Sequence, residues 1–166
     1  EVTLGTDLKQ VEFRQTVRSF SKKVAGADVA LLFYAGHGIQ ADGENYLIPI
    51  DANIEIGADL RWNTVSLRNM MREMEAPGRT TIVILDACRN NTLATRLRSI
   101  TSDTRSMSVG RGLSRMVARR GSYKAFATAP GEVADDGSDD HSPFTSALMK
   151  RKDEPDMSIA RLIRRV

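Results

Sequence analysis

The sequence predicts an α/β fold: a mostly parallel sheet with helices packed on both of its faces. Two short apolar runs predict the sheet, Asp28 to Tyr34 and Thr80 to Asp86. Unbroken apolar runs of this length mark strands buried on both faces, as parallel strands lying between helix layers are. Amphipathic segments around them supply the third observation, because strand and helix then alternate along the chain.

Each element has its own local signal. Asp7-Leu-Lys-Gln10 has the form of a capping box ahead of Phe13, Val17, Phe20 and Val24, which share one helix face. A second helix carries Leu67, Met70, Met71 and Met74 as core filler, and Pro77-Gly78 after it is a stop signal. Tyr123 to Ala129 is a weaker third strand, and Val2 to Leu4 a fourth at an edge. Near the end, Ser142 precedes Pro143 as N-cap before N1 proline, and Ser158 precedes the apolar positions Ile159, Leu162, Ile163 and Val166.

At 166 residues, 41% of them hydrophobic, the chain suits a single domain with one buried core. Its net charge of +3 is too small to argue for nucleic-acid binding. The distribution is more telling: between Arg89 and Arg120 the arginines meet only Asp103. Glu132, Asp135, Asp136, Asp139 and Asp140 then follow without a base among them. A single cysteine excludes an internal disulfide, so the thiol is either core filling or chemistry. No apolar run is long enough to span a bilayer, and no signal-peptide profile opens the chain. A soluble protein is expected, cytoplasmic or periplasmic, with no membrane partner. Both ends look cut, since the chain opens on Glu1 and stops on Val166 within a helical pattern, so residues 1–166 read as a fragment of one domain.

In open α/β sheets function gathers beyond the carboxyl ends of the strands. There the sequence places Ala35-Gly-His-Gly38 and Ala87-Cys-Arg-Asn90. If the two strands are neighbours, His37 and Cys88 meet at one rim, the geometry a thiol nucleophile and its proton acceptor require. Glycines on both sides of His37 leave the ring accessible and let a backbone N–H approach a substrate carbonyl. The competing reading makes His37 a loop residue and Cys88 a buried apolar one.

Tyr34-Ala-Gly-His-Gly38 and Asp86-Ala-Cys-Arg89 resemble the histidine and cysteine motifs of the caspase and metacaspase superfamily, where the histidine lies about 50 residues upstream. Ala129-Pro-Gly131 with Ser142-Pro-Phe144 is similar to the family's segment after the strand closing the cleft, and Asp42 to Asp51 resembles the stretch after the histidine in bacterial caspase-like proteins. The resemblance implies a caspase-like three-layer α/β/α sandwich that lacks the family's first strand and helix. It implies that Cys88 is the nucleophile and His37 the proton carrier, with the backbone N–H groups of Gly38 and Cys88 as oxyanion hole. The implied reaction is peptide hydrolysis through a thioester, with no cofactor in the chemistry.

Metacaspases carry an acid two positions before the cysteine and cut after arginine or lysine, and here that position is Asp86. A carboxylate at the base of a cleft favours a cationic side chain. The alternative for Asp86 is a strand-end residue capping a nearby backbone N–H. Asp135 and Asp136 are further candidates for the substrate pocket. Calcium activation is a second expectation for that acidic run, against a plain solvated turn, because the run lacks EF-hand spacing. Metacaspases usually have serine at the place of Ala35. The basic stretch Arg89 to Arg120 falls where family members carry a mobile linker that is sometimes cut, with Arg105 and Arg111 as candidate points.

The expected partners are a peptide or protein substrate and a remainder of the same protein as a second chain. Two other function classes stay open: a non-catalytic caspase-like scaffold or regulatory module, and a basic surface for nucleic acid or acidic lipid. No aromatic residue interleaves the arginines, which leaves base stacking without support.

Overall fold

A computed structural model of the chain describes residues 1–87, 95, 97, 108–110, 113–116, 121–128 and 141–166. The elements run in the order α1 (Gln10–Lys23), β1 (Val29–Ala35), β2 (Gly38–Ala41), β3 (Glu44–Leu47), α2 (Asp59–Asn63), β4 (Val65–Ser66), α3 (Leu67–Met74), β5 (Thr80–Asp86), β6 (Ser122–Phe126), α4 (Pro143–Arg151) and α5 (Ile159–Arg165).

The central sheet is parallel, in the order β1-β5-β6. Its two long strands coincide with the two apolar runs. Along one face Ala30, Val83 and Leu85 are buried with Met70, Met71 and Met74 of α3, and Phe13, Val17 and Phe20 of α1 pack onto the same cluster. Each buried methionine contributes about 1.5–3 kcal/mol of apolar transfer. The helix stripe and the strand alternation therefore meet as their periodicities require.

The opposite face is covered unevenly. Side chains alternate along a strand, so Asp86 lies on the face away from Leu85. There the start of α4 reaches it, through hydroxyls of Ser142 and Thr145. Further along, Val29, Leu31 and Phe33 of β1 stay exposed at 55%, 47% and 40%.

A second, antiparallel sheet in the order β2-β3-β4 sits beside the first. Asp42 and Gly43 both take positive φ (50° and 74°), the pattern of a two-residue hairpin turn, and Asp-Gly is a pair suited to it. Ile39, Ala41 and Tyr46 bury their side chains with Ile54, Leu60, Leu97 and Val109 in a separate cluster. The buried Asn45 amide pairs with both backbone groups of Ser114, at 2.9 and 2.7 Å, as a peptide unit would. That pairing holds segment 113–116 against the hairpin.

Three helix or strand boundaries differ from expectation. Asp7 takes a positive φ of 48° and does not cap α1; instead the Glu12 carboxylate accepts from the Lys9 N–H at 3.0 Å, and the Asp51 carboxylate accepts from the Gln10 N–H at 2.8 Å. Val2 to Leu4 form no strand, with Val2 and Leu4 over 80% exposed, and no strand among the described residues offers them a ladder. The third strand runs over Ser122–Phe126, shorter than expected. The N-caps Ser142 and Ser158 stand as expected, accepting from Thr145 N–H at 3.0 Å and Arg161 N–H at 3.3 Å. No helix among the described residues is long and apolar enough to cross a membrane.

Arg79 joins the two helices that cover the sheet. Its guanidinium donates to the carbonyl of Met74 at 2.6 Å, to that of Ala27 at 3.1 Å and to that of Val24. Met74 ends α3 and Val24 is the C-cap of α1, so one cation meets the partly negative carboxyl ends of both helices. A planar fork reaches three carbonyls at once where an ammonium cannot. We expect Arg79→Met to lower unfolding free energy by about 2–3 kcal/mol, and Arg79→Lys to recover less than half of that loss. Urea denaturation of the variants checks this, and equal stability of Lys and Arg at the position would contradict it.

Candidate functional site

The site begins where β1 and β5 end together. They pair in register up to Ala35 opposite Asp86, and the Gly36 N–H extends the ladder by donating to the Asp86 carbonyl at 3.1 Å. Beyond that point the two segments leave the same level of the sheet, one as Gly36-His37-Gly38 and the other at Ala87.

His37 has a fixed backbone and an exposed ring. Its carbonyl accepts from the Ile48 N–H at 2.9 Å and from the Tyr34 hydroxyl at 2.8 Å. The Tyr34 ring in turn stacks on Phe13 of α1, with centroids 5.9 Å apart and planes 18° from parallel. Gly36 makes this possible: a Cβ there would stand 2.7 Å from the Tyr34 hydroxyl, inside contact distance. The histidine is thus anchored through one aromatic side chain to the helix layer beneath the sheet.

Gly38 brings the two loops into contact. It is buried, and a Cβ on it would meet Leu113 at 3.0 Å and the Ala87 side chain at 3.5 Å. Ala87, fully buried, is the residue immediately before Cys88. The backbone following His37 therefore lies against the backbone preceding Cys88, and the glycine allows that approach. On β3, burial first and then the Glu44 carboxylate hold the Tyr46 hydroxyl above its usual range.

Asp86 is 2% exposed, and its Oδ2 accepts from the hydroxyls of both Ser142 and Thr145. Ser142 is itself buried, and its oxygen also caps α4 by accepting from the Thr145 N–H. A carboxylate taken out of water requires donors of this kind. The carboxylate thus joins the end of β5 to the start of α4. Thr145 gave no signal of this in the sequence; only the N-cap role of Ser142 was legible.

Of the expected site residues, the structure describes His37, Gly38 and Asp86 and brings them to one rim. Cys88, Asp135 and Asp136 lie outside the described residues, as do the acidic run and most of the basic stretch, including Arg105 and Arg111. Among the described residues no three His, Cys, Asp or Glu side chains are grouped to hold a metal ion.

We expect Tyr34→Phe, which keeps the stack on Phe13 and removes only the hydroxyl, to cost about 1 kcal/mol of stability. Thermal or urea unfolding measures it; an unchanged midpoint would show that the bond to the His37 carbonyl contributes nothing.

Two comparisons bear on identity. The chain is 30% identical over 84 residues to human mucosa-associated lymphoid tissue lymphoma translocation protein 1 (Homo sapiens), a match covering 50% of this chain and 10% of that protein. The match thus spans about a tenth of that relative's length. The family model described as "Caspase domain" matches residues 1–166, the whole chain. With a parallel sheet whose adjacent strands end two residues before the histidine and two before the cysteine, the chain belongs to the caspase-domain family of cysteine peptidases.

Proposed function

We propose that the chain is a cysteine endopeptidase working through a Cys88–His37 dyad and cutting after arginine or lysine. One observation carries the reading: β1 and β5 are adjacent and end in register at Ala35 and Asp86, each two residues short of a dyad member. The contact between Gly38 and Ala87 supports it, since Cα atoms joined by a trans peptide are only about 3.8 Å apart.

In this reading the His37 imidazole takes the proton from the Cys88 thiol, and the thiolate attacks the substrate carbonyl carbon. The oxyanion is held by the backbone N–H groups of Gly38 and Cys88, preorganised because the chain at Gly38 is already fixed by β2 pairing. The imidazolium then protonates the leaving amine as the C–N bond breaks. Water, deprotonated by the same imidazole, hydrolyses the thioester and returns the proton to sulfur. No cofactor takes part in these steps; calcium, if it activates the enzyme, would act through the acidic run around Asp135 and Asp136.

The preference for arginine or lysine rests on Asp86. Its carboxylate lies two positions before Cys88, on the sheet face that the start of α4 reaches. Asp135 and Asp136 would add negative potential.

The test uses fluorogenic peptides with arginine, lysine or aspartate before the scissile bond. Cleavage after arginine and lysine, lost by at least about a thousandfold in Cys88→Ala, is the expected result. Cleavage after aspartate alone would overturn the Asp86 assignment, and turnover surviving in Cys88→Ala would overturn the dyad.

A further inference from the structure

Two pieces of chain from within the basic stretch, 108–110 and 113–116, lie along the small antiparallel sheet. The first pairs with the edge of β2: Val109 bridges Ala41, the Asp42 N–H donates to the Ser108 carbonyl at 2.8 Å, and the Asp42 carboxylate accepts from the Ser108 N–H at 2.8 Å. The second is gripped by the buried Asn45 amide, which meets both backbone groups of Ser114, while the Ser114 hydroxyl donates to the Gly43 carbonyl at 3.1 Å. These bonds fix the register of the segment, and the residue beside the gripped serine is apolar.

That residue, Leu113, is 2% exposed and shares a buried cluster with Ala87. Its Cδ2 stands 3.0 Å from where a Gly38 Cβ would be, and the Ala87 Cβ stands 3.5 Å from the same point. The leucine therefore fills the corner between the two loops that leave the sheet. A buried amide destabilises the fold unless its oxygen and nitrogen are both paired, and Ser114 pairs both. A slip of the segment by one residue would break those bonds and take Leu113 out of the corner. Polar contacts thus choose the register, and the register delivers one leucine to the place where the loops meet.

We infer that Leu113 is a positioning residue for the hydrolytic step: it sets how closely the Gly38 backbone approaches the Ala87 backbone, and with that the spacing of the Gly38 and Cys88 N–H groups. The inference rests on the reading of those two groups as the oxyanion hole of a Cys88–His37 dyad. The His37 carbonyl has its own anchors at Tyr34 and Ile48, so thiolate formation is independent of Leu113, whereas stabilisation of the tetrahedral oxyanion is not. A displacement of about 1 Å near the reacting groups can slow a reaction by about a hundredfold.

The experiment measures kcat and KM on the peptide that the wild-type chain cuts fastest, together with the pH midpoint of Cys88 alkylation by iodoacetamide, a reaction that forms no oxyanion. Leu113→Ala, which opens the corner, is expected to lower kcat by about thirtyfold, with KM within about threefold and the midpoint unmoved. Leu113→Met, close in volume, should keep kcat within about threefold of wild type. Gly38→Ala tests the corner from the other side, since its methyl crowds Leu113 in the wild-type background and finds room once Leu113 is trimmed. The double variant Gly38→Ala, Leu113→Ala should therefore lose less than the product of the two single losses. If circular dichroism finds Leu113→Ala unfolded, Leu113→Val carries the same comparison, with a severalfold loss of kcat expected. Wild-type kcat in the folded variant, or single losses that multiply in the double variant, would overturn the inference and leave the dyad standing. A midpoint that rises as kcat falls would overturn it as well, by showing a general loosening of the site. Turnover surviving in Cys88→Ala would overturn the dyad reading and this inference with it.

Discussion

The parallel pairing of β1 with β5 is the constraint on which the site depends. Its seven paired positions, from Val29 with Thr80 to Ala35 with Asp86, fix where each chain leaves the sheet. A parallel ladder buried against a helix layer cannot slip by one residue without turning its apolar side chains to the wrong face. The methionine stripe of α3 and the aromatic stripe of α1 therefore set the register, and the register sets the distance between the loops that follow. Packing and chemistry are coupled through a sheet whose strands end at one level.

Around that rim the backbone is held from three sides. Tyr34 links the His37 carbonyl to Phe13 and the helix layer, and Ile48 links it to the chain beyond the small antiparallel sheet. Asp86 links the other loop to α4 on the opposite face of the sheet. A catalytic constellation tolerates little displacement, and side chains carried on loops need such supports to reach the precision that elements supply by themselves. In this chain the supports join motif residues, Tyr34 and Asp86, to residues outside the motifs, Phe13, Ser142 and Thr145.

What the sequence revealed and what it hid divide along physical lines. The two long strands and α3 were legible because hydrophobic periodicity reports burial directly, and Ser142-Pro143 was legible because capping chemistry is local. The antiparallel hairpin went unread although Asp42-Gly43 signals its turn; its strands are only four residues long, too short for alternation to stand out. Asp7 misled because a capping-box pattern is satisfied by several spacings, and Glu12 and Asp51 were the acids in reach. Arg79, Asn45 and Thr145 make contacts across tens of residues, as does the Tyr34 ring on Phe13, and no local pattern encodes such contacts. At the site, His37 and Gly38 were marked by their place after a strand, while the resemblance to caspases and metacaspases singled out Asp86 and supplied the roles.

The central claim is that an imidazole and a thiol share one rim of the sheet. Because the chain holds a single cysteine, its alkylation rate reads one group alone. The direct measurement is the pH dependence of iodoacetamide alkylation in the wild-type chain and in His37→Gln. The account predicts a wild-type midpoint well below the ordinary thiol value of about 8.5, moved back up towards it by the substitution. The same midpoint in both proteins would contradict it.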